Sequence, residues 1–133
     1  MSSSTILIVE DNEMTQHLLV RQLAHLGVTD VAVAANGLDA LHWLVEHECR
    51  LVLADCQMPE MDGFEMTRRI RAAERFSGKH LPIIAMSAGT VEEDSGQSAA
   101  AGMDLHVPKP AQMQALQAAL EPWLGPLGQF SHP

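Results

Sequence analysis

The sequence predicts a single α/β domain in which a parallel β-sheet is covered by helices on both faces. Short, continuously aliphatic runs recur along the chain, as expected for strands that are buried on both faces. Stretches with apolar residues at helical spacing lie between these runs. Five such alternations imply parallel strands joined by helical crossovers. The length of 133 residues suits one domain with its own core.

The five predicted strands are short, and four of them are clearly apolar. The second strand has a weaker apolar pattern than the others. Pro82 marks the start of the fourth strand. The strands are predicted over residues 6–10, 31–35, 51–54, 83–86 and 105–107.

Each predicted helix follows a strand and is bounded by residues that begin or end helices. Asn12 and Thr90 are expected N-caps, and Gly27 and Gly102 are expected stops. The helices are predicted over residues 13–26, 38–48, 63–76, 91–101 and 111–124.

The inner faces of three helices follow from apolar spacing. Asn36 and Gly37 form a predicted turn before the second helix. The residues expected to face the core are Leu19, Leu23 and Leu26 in the first helix, Leu38, Leu41, Leu44 and Val45 in the second, and Met113, Leu116, Leu120 and Trp123 in the last.

Right-handed crossovers restrict the order of the strands. The flavodoxin-like order 2-1-3-4-5 places the first and third strands side by side at the switch point, where ligands bind outside the carboxyl ends of the strands. The five side chains expected to meet there are Glu10, Asp11, Asp55, Ser87 and Lys109.

This set of side chains points to a divalent metal and a phosphoryl group. Carboxylates with water and phosphate oxygens suit Mg2+, so Asp11 and Asp55 are expected ligands and Glu10 acts through a bound water. With the metal bound, Asp55 stays ionised and serves as a nucleophile. Lys109 and the Ser87 hydroxyl would each bond a phosphoryl oxygen.

Composition excludes several other classes of protein. A net charge of −9 argues against binding to nucleic acid. No apolar run approaches the roughly 18 residues needed to cross a bilayer, and the start lacks the pattern of a secretory signal. Cys49 and Cys56 are expected to be reduced thiols, so the expected location is the cytoplasm.

Four motifs, in order, make the chain resemble the receiver domain of two-component response regulators. They are Ile8-Val9-Glu10-Asp11-Asn12, Asp55-Cys56-Gln57-Met58-Pro59-Glu60-Met61-Asp62-Gly63, Met86-Ser87-Ala88 and Pro108-Lys109-Pro110. The resemblance covers residues 5–124. Residues 1–4 are then a linker or disordered lead-in, and residues 125–133 a C-terminal tail.

The resemblance implies a role for each residue of the site. Asp55 accepts a phosphoryl group from a histidine, and the backbone carbonyl of Gln57 joins the carboxylates around Mg2+, with Mn2+ as an alternative ion. Ser87 is the switch hydroxyl, Lys109 bonds the phosphoryl group, and the bond between Lys109 and Pro110 is expected to be cis.

The same resemblance implies partners and output. The phosphoryl donor is a histidine kinase or a histidine phosphotransfer domain, and the surface around the fourth helix, fifth strand and fifth helix switches. The domain is expected to be a monomer or weak dimer. It is not a conventional enzyme, although it catalyses its own phosphorylation and dephosphorylation.

Two positions depart from the family pattern. His106 stands where the family usually carries Tyr or Phe, and it is either a smaller, titratable switch ring or an ordinary half-buried strand residue. Gln57 and Gly89 flank the phosphoryl site, and because Gly89 has no side chain, an exposed phosphoryl group with a lifetime set partly by Gln57 is expected.

Three other functions fit the sequence less well than that of a phospho-accepting receiver. An aspartate-nucleophile phosphohydrolase usually has a second Asp two residues after the nucleophile, where Gln57 stands. The sequence lacks the glycine-rich phosphate loop that a nucleotide-binding module would have. A degenerate receiver would not keep all five site residues. The stretch Asp55–Arg71 favours the receiver of a hybrid sensor kinase, and a stand-alone receiver is the alternative.

Overall fold

Five parallel strands form one sheet in the order β2-β1-β3-β4-β5, as predicted. The structure, a computed structural model, describes residues 3–87 and 91–127. The strands are β1 (Ser3–Val9), β2 (Val31–Ala34), β3 (Glu48–Asp55), β4 (Ile83–Ser87) and β5 (Leu105–Pro108).

Five helices connect and cover these strands. They are α1 (Glu13–His25), α2 (Gly37–Glu46), α3 (Gly63–Ser77), α4 (Val91–Ala101) and α5 (Met113–Leu124). Asn12 caps α1 as predicted, because its side-chain oxygen accepts a hydrogen bond from the Thr15 amide at 3.0 Å. The predicted cap Thr90 lies outside the described residues.

The two faces of the sheet bury separate apolar clusters. The cluster under α1 and α5 contains Ile8, Leu23 and Leu53, and the cluster under α2 and α3 contains Leu7, Val52 and Met66. Successive residues of one strand therefore face opposite clusters, as the pleat of a strand requires. Burial on both faces is the reason that the central strands are continuously aliphatic.

The strands β1 and β3 begin earlier than predicted, at Ser3 and Glu48. Ser3 and Ser4 pair with Glu48 and Cys49 and belong to β1, so they are not part of a disordered lead-in. Backbone hydrogen bonds hold this polar start of β1 against an extension of β3. The strand pairing is not encoded by apolar side chains, which is why the sequence pattern missed it.

The second helix is shorter than predicted and presents a different face to the core. It ends at Glu46, and its buried residues are Gly37 and Ala40. Leu38 and Val45, both predicted to face inward, are exposed, and 83% of Val45 is accessible. Asn36 serves as the N-cap of α2, with its side chain accepting from the Asp39 amide at 2.8 Å.

A charged network joins α3 to the amino ends of β4 and β5. Arg71 lies 2.7 Å from Glu74 and 2.9 Å from Asp104, and it also donates to the carbonyls of Gly102 and Leu81. The same two carboxylates accept from backbone amides, Glu74 from Leu81 and Asp104 from Ile83. The network fastens the turn before β5 to the third helix.

The chain shows no helix able to cross a membrane in the part that the structure describes. Neither cysteine forms a disulfide within the described residues, and Cys56 is buried and Cys49 partly buried.

Candidate functional site

The predicted site residues meet where four strands end at one edge of the sheet. Glu10 and Asp11 follow β1, and Asp55 and Ser87 are the last residues of β3 and β4. Lys109 follows β5. The pairing of Val9 with Ala54, Asp55 with Met86, and Ser87 with Pro108 aligns these ends.

Three carboxylates form the centre of the site. One oxygen from each of Glu10, Asp11 and Asp55 lies within 4.8 Å of the others. Glu10 and Asp55 are buried, whereas Asp11 is exposed. An all-oxygen donor set that is open to water on one side fits a hard divalent cation such as Mg2+, which keeps several water ligands.

Lys109 is the cation that faces these acids. Its Nζ lies 2.9 Å from Oε1 of Glu10 and 3.2 Å from Oδ2 of Asp55. One ammonium therefore bonds two of the three clustered carboxylates, and the cluster carries an excess of negative charge. Such an excess favours the binding of a further cation.

Burial and the neighbouring charges shift the pKa of two of these groups. Burial raises the pKa of Glu10, and the charge of Asp55 adds to this, although hydrogen bonds from Lys109 and the Asn12 amide act in the opposite direction. Burial by itself would lower the pKa of Lys109, but the hydrogen bond to Glu10 and the charges of Asp55 and Glu10 outweigh it and raise that pKa. The ammonium is thus held in its charged form.

The backbone around Glu10 is fixed from several sides. Its amide donates to Ala34 of β2 at 3.0 Å, and its carbonyl accepts from the Gln16 side chain at 2.6 Å. The Asn12 amide donates to the Glu10 carboxylate at 3.1 Å. The residue that caps α1 therefore also orients an acid of the site.

The loop after Asp55 is held by close backbone approaches at two glycines. A Cβ built on Gly63 would lie 2.3 Å from the carbonyl oxygen of Asp55, and one on Gly37 would lie 2.8 Å from that of Met61. The Gln57 amide donates to Oδ1 of Asp55 at 3.2 Å. Neither glycine position has room for a side chain, and the loop stays close to the carboxylate.

The remaining predicted positions are only partly described. Ser87 is buried, and its carbonyl accepts from the Lys109 amide at 2.8 Å. The bond between Lys109 and Pro110 is cis, as predicted. His106 is half-buried, and Nε2 of its ring has no hydrogen-bond partner within the described ranges. Gly89 lies outside the described residues.

An apolar surface that was not predicted lies beside the site. Met14 and Leu18 of α1 are exposed, and 81% of Met14 is accessible. A cavity of about 260 Å3 beside Leu18 extends to Lys109 and Pro110. Helical spacing gave no signal for this surface, because Met14 and Leu18 lie off the inner stripe formed by Leu19 and Leu23.

Comparison with known families decides what this arrangement is. Residues 6–121 match the response regulator receiver domain. The chain belongs to this family. The receiver is thus a member of two-component signal transduction, as the four motifs predicted, and its strand order and helices are those of the receiver fold.

Curated relatives of this receiver include hybrid kinases. The chain is 40% identical over 119 residues to the hybrid signal transduction protein dokA of Dictyostelium discoideum, covering 90% of this chain and 7% of that protein. It is 36% identical to the sensor histidine kinase RcsC of Salmonella typhi, covering 86% of this chain and 12% of that protein. The chain therefore spans a small part of these relatives.

Solved structures of receivers agree with the fold. The receiver domain of the sensor histidine kinase PA1611 from Pseudomonas aeruginosa PAO1 is 35% identical, with a TM-score of 0.80 over 93% of this chain and 99% of that one. That structure has a magnesium ion coordinated in its active site cleft. The receiver domain of Ssk1 from Saccharomyces cerevisiae, solved with the histidine phosphotransfer protein Ypd1, is 26% identical with a TM-score of 0.81, covering 92% of this chain and 89% of that one.

Proposed function

We propose that this receiver accepts a phosphoryl group on Asp55 from a phosphohistidine, in a reaction that depends on Mg2+. The observation that carries the proposal is the position of the Asp55 carboxylate between Lys109, at 3.2 Å, and two further acids within 4.8 Å. A carboxylate that lies beside a cation and beside a site for a second cation is suited to receive a phosphoryl group, because both cations neutralise the charge of its oxygens.

Glu10, Asp11, Asp55 and the backbone carbonyl of Gln57 are the proposed metal-binding groups, with Glu10 acting through water. Their donor atoms are all oxygens, which are the ligands that Mg2+ prefers, and Mn2+ accepts the same set. When bound, the ion neutralises the acids and shields the phosphoryl oxygens from them. The magnesium in the PA1611 receiver supports this assignment.

Asp55 is the proposed nucleophile of the transfer. One carboxylate oxygen forms a bond to phosphorus while the bond between phosphorus and the imidazole nitrogen breaks, and the electron pair of that bond returns to the histidine ring. The product is an acyl phosphate, a mixed anhydride, and no other covalent bond of the receiver forms or breaks. The chain's contribution is to position Asp55 and to neutralise charge.

Lys109 and Ser87 are the proposed contacts of the phosphoryl group. The Lys109 ammonium already lies against Asp55 and would bond a phosphoryl oxygen, while the Ser87 hydroxyl donates to another. Ser87 precedes α4, and Lys109 follows β5, so a movement at either residue reaches the surface of α4, β5 and α5. We propose this surface as the switching element.

A histidine kinase or histidine phosphotransfer domain is the proposed donor, and α1 is its proposed docking surface. Exposed Met14 and Leu18 lie on the same helix as the Asn12 cap that orients Glu10. An apolar patch beside a reactive site is typical of a surface that binds a protein. The complex of the Ssk1 receiver with Ypd1 supports a donor of this class.

The proposed context is a hybrid sensor kinase, with a stand-alone receiver as the alternative. The hybrid proteins among the relatives support the first reading. We propose a cytoplasmic location in either context, with the receiver free or tethered to a membrane-bound sensor kinase.

Phosphotransfer from purified histidine phosphotransfer domains tests the function. Label from a radioactive phosphohistidine is expected on the wild-type chain, and Asp55→Asn is expected to lower it at least about a hundredfold because the nucleophile is lost. A chelator should stop the transfer, and Mg2+ should restore it. Label that persists in Asp55→Asn would refute the mechanism.

The lifetime of the phosphoryl group has a separate test. We propose that Gln57 sets it in part, because this residue bonds Asp55 through its amide and its side chain is exposed. Decay of phospho-Asp55 is measured in Gln57→Ala and in Gly89→Glu. Unchanged rates in both variants would contradict the proposal.

A further inference from the structure

A second concave surface lies at the opposite end of the sheet from the acid centre. It is a groove of about 640 Å3 between α2 and α3, and it passes over the amino ends of β3 and β4. The groove exists because α2 ends at Glu46, whereas α3 continues to Ser77. Its apolar lining includes Leu41, Leu44, Val45, Ile70, Ala73 and Leu81.

The groove is wide open at its rim. Val45 lines it and is 83% accessible, whereas Leu41 and Leu44 on the same helix are half-buried. Small-molecule sites bury most of their ligand, which this rim does not allow. The shape instead fits the apolar stripe of a helix, since amphipathic helices bind by laying one face into a hydrophobic groove.

The charge of the rim differs from that of the rest of the chain. Arg50, Arg69 and Lys79 line the groove and are three of the eight Lys and Arg residues in a chain of net charge −9. Glu74 is already bonded by Arg71 at 2.7 Å, and Arg69 is bonded by Glu65 at 3.0 Å, so Arg50 and Lys79 remain against Glu48. The rim therefore keeps an excess of positive charge that complements an acidic partner.

We propose that this groove docks an amphipathic helix of a partner protein, with acidic residues along the edges of its apolar stripe. The apolar residues of the partner cover Leu44, Val45 and Ala73, and its acids face Arg69 and Lys79. The groove lies at the amino ends of the strands, so docking leaves the acid centre open. The proposal is independent of phosphoryl transfer.

Synthetic peptides provide the probe. One peptide of about 14 residues, roughly four helical turns, carries Leu at positions i, i+3, i+4 and i+7 and Glu on both flanks. A twin carries Lys in place of Glu, and a shuffled peptide has the same composition without an apolar stripe. Fluorescence anisotropy of the labelled peptides is expected to show saturable binding of the acidic peptide and at least about tenfold weaker binding of the other two.

Two variants of matched chemistry separate the groove from general charge. Arg68 and Arg69 both bond Glu65, at 3.1 and 3.0 Å, and are 54% and 57% exposed, but Arg69 lines the groove and Arg68 does not. Arg69→Ala is expected to weaken the binding of the acidic peptide about two- to fivefold, which is the contribution of one exposed ion pair. Arg68→Ala is expected to leave this affinity unchanged. Val45→Glu is expected to abolish binding.

Several outcomes would overturn the proposal. These are no saturable binding to the wild-type chain, equal binding of the Lys twin or the shuffled peptide, and equal effects of Arg68→Ala and Arg69→Ala. Sedimentation that shows self-association, lost in Val45→Glu, would make a second copy the occupant and would also overturn it. If circular dichroism shows that Val45→Glu does not fold, the comparison of Arg68→Ala with Arg69→Ala tests the groove.

Discussion

Two clusters of charged side chains lie at opposite ends of this sheet, and they differ in how their charges are balanced. At the amino ends, Arg71 lies between Glu74 and Asp104, and backbone amides also bond both acids. At the carboxyl ends, Lys109 bonds Glu10 and Asp55, and the neighbouring acid Asp11 is open to water. The first cluster satisfies its acids within the chain, and the second leaves negative charge for a ligand to neutralise.

The difference separates structural from functional use of the same residue types. A carboxylate that is bonded by an arginine and an amide fixes two segments to each other, and its charge is already compensated. A carboxylate that lies among like charges costs stability until a cation arrives. Substitutions and added ions should therefore affect the two clusters in opposite ways.

The largest effect is expected from Arg71→Met. The variant leaves Glu74 and Asp104 without their cation while keeping the aliphatic stem, so it should lower the free energy of unfolding by about 2–4 kcal/mol. Urea unfolding monitored by circular dichroism measures this. Arg68→Met is the control, because Arg68 is 54% exposed and should cost less than about 1 kcal/mol. Equal losses in the two variants would contradict the structural role of the Arg71 cluster.

The next effect is stabilisation by Mg2+ at the acid centre. An ion that binds the native state alone should add about 2.7 kcal/mol to the free energy of unfolding at a hundred times its dissociation constant. Thermal unfolding with and without the ion measures this gain. It should persist in Arg71→Met and fall sharply in Asp55→Asn, and a gain of the same size in Asp55→Asn would place the ion elsewhere.

Replacement of Asp by Asn should change the free energy of unfolding in opposite directions in the two clusters. Without metal, Asp11→Asn should raise the free energy of unfolding by about 0.3–1 kcal/mol, because it removes repulsion in a solvent-exposed position. Asp104→Asn should lower it by about 1–3 kcal/mol, because Arg71 and the Ile83 amide lose a charged acceptor. Denaturant unfolding of both variants measures these changes. Changes of the same sign would contradict the proposed difference between the two clusters.

The smallest effect concerns an exposed acid outside both clusters, which two arginines bond. Hydrogen bonds from Arg69 and Arg68 lower the pKa of Glu65 below its ordinary value of 4.5. Because the folded pKa is the lower one, ionised Glu65 stabilises the fold above pH 4.5, and this stabilisation disappears as the pH falls through the folded pKa. The difference in unfolding midpoint between wild type and Glu65→Gln should therefore shrink below pH 4.5, and a difference that grows there would contradict the sign.

The carboxyl-end cluster could be predicted from the sequence because local signals agree with the global fold. Glu10, Asp55 and Ser87 each follow an aliphatic run that has no alternative to a buried strand, and the strand order then brings them together. The cis bond before Pro110 was also predicted, from the resemblance to receivers. The roles of these residues in phosphoryl transfer stay predictions.

The amino-end cluster could not be predicted, because its contacts are distant in sequence. The sequence by itself predicts a solvated helix face for Arg68, Arg69 and Arg71, and for Arg71 this is wrong, since only 18% of its side chain is exposed. Its partner Asp104 is 33 residues away. Periodicity along α3 carries no information about the turn before β5 that covers this arginine.

The face of α2 was mispredicted for a different reason. Leu38 and Val45 have helical spacing with Leu41, but α2 is ten residues long, and its close contact with the loop after β3 is made through Gly37. The glycine sets how the helix lies, so two of the four leucine and valine positions turn outward. Apolar spacing identifies a stripe, and it does not identify which side chains a short helix can bury.

The close approach of Gly63 to the Asp55 carbonyl has a genetic consequence. A saturation library at codon 63 should contain almost no functional alleles besides glycine, since alanine already brings a carbon to 2.3 Å from that oxygen. Codon 78, where the glycine has open space around it, should accept asparagine. Allele frequencies after selection would thus mark codon 63 as intolerant of change, although its residue has no side chain that could take part in the chemistry.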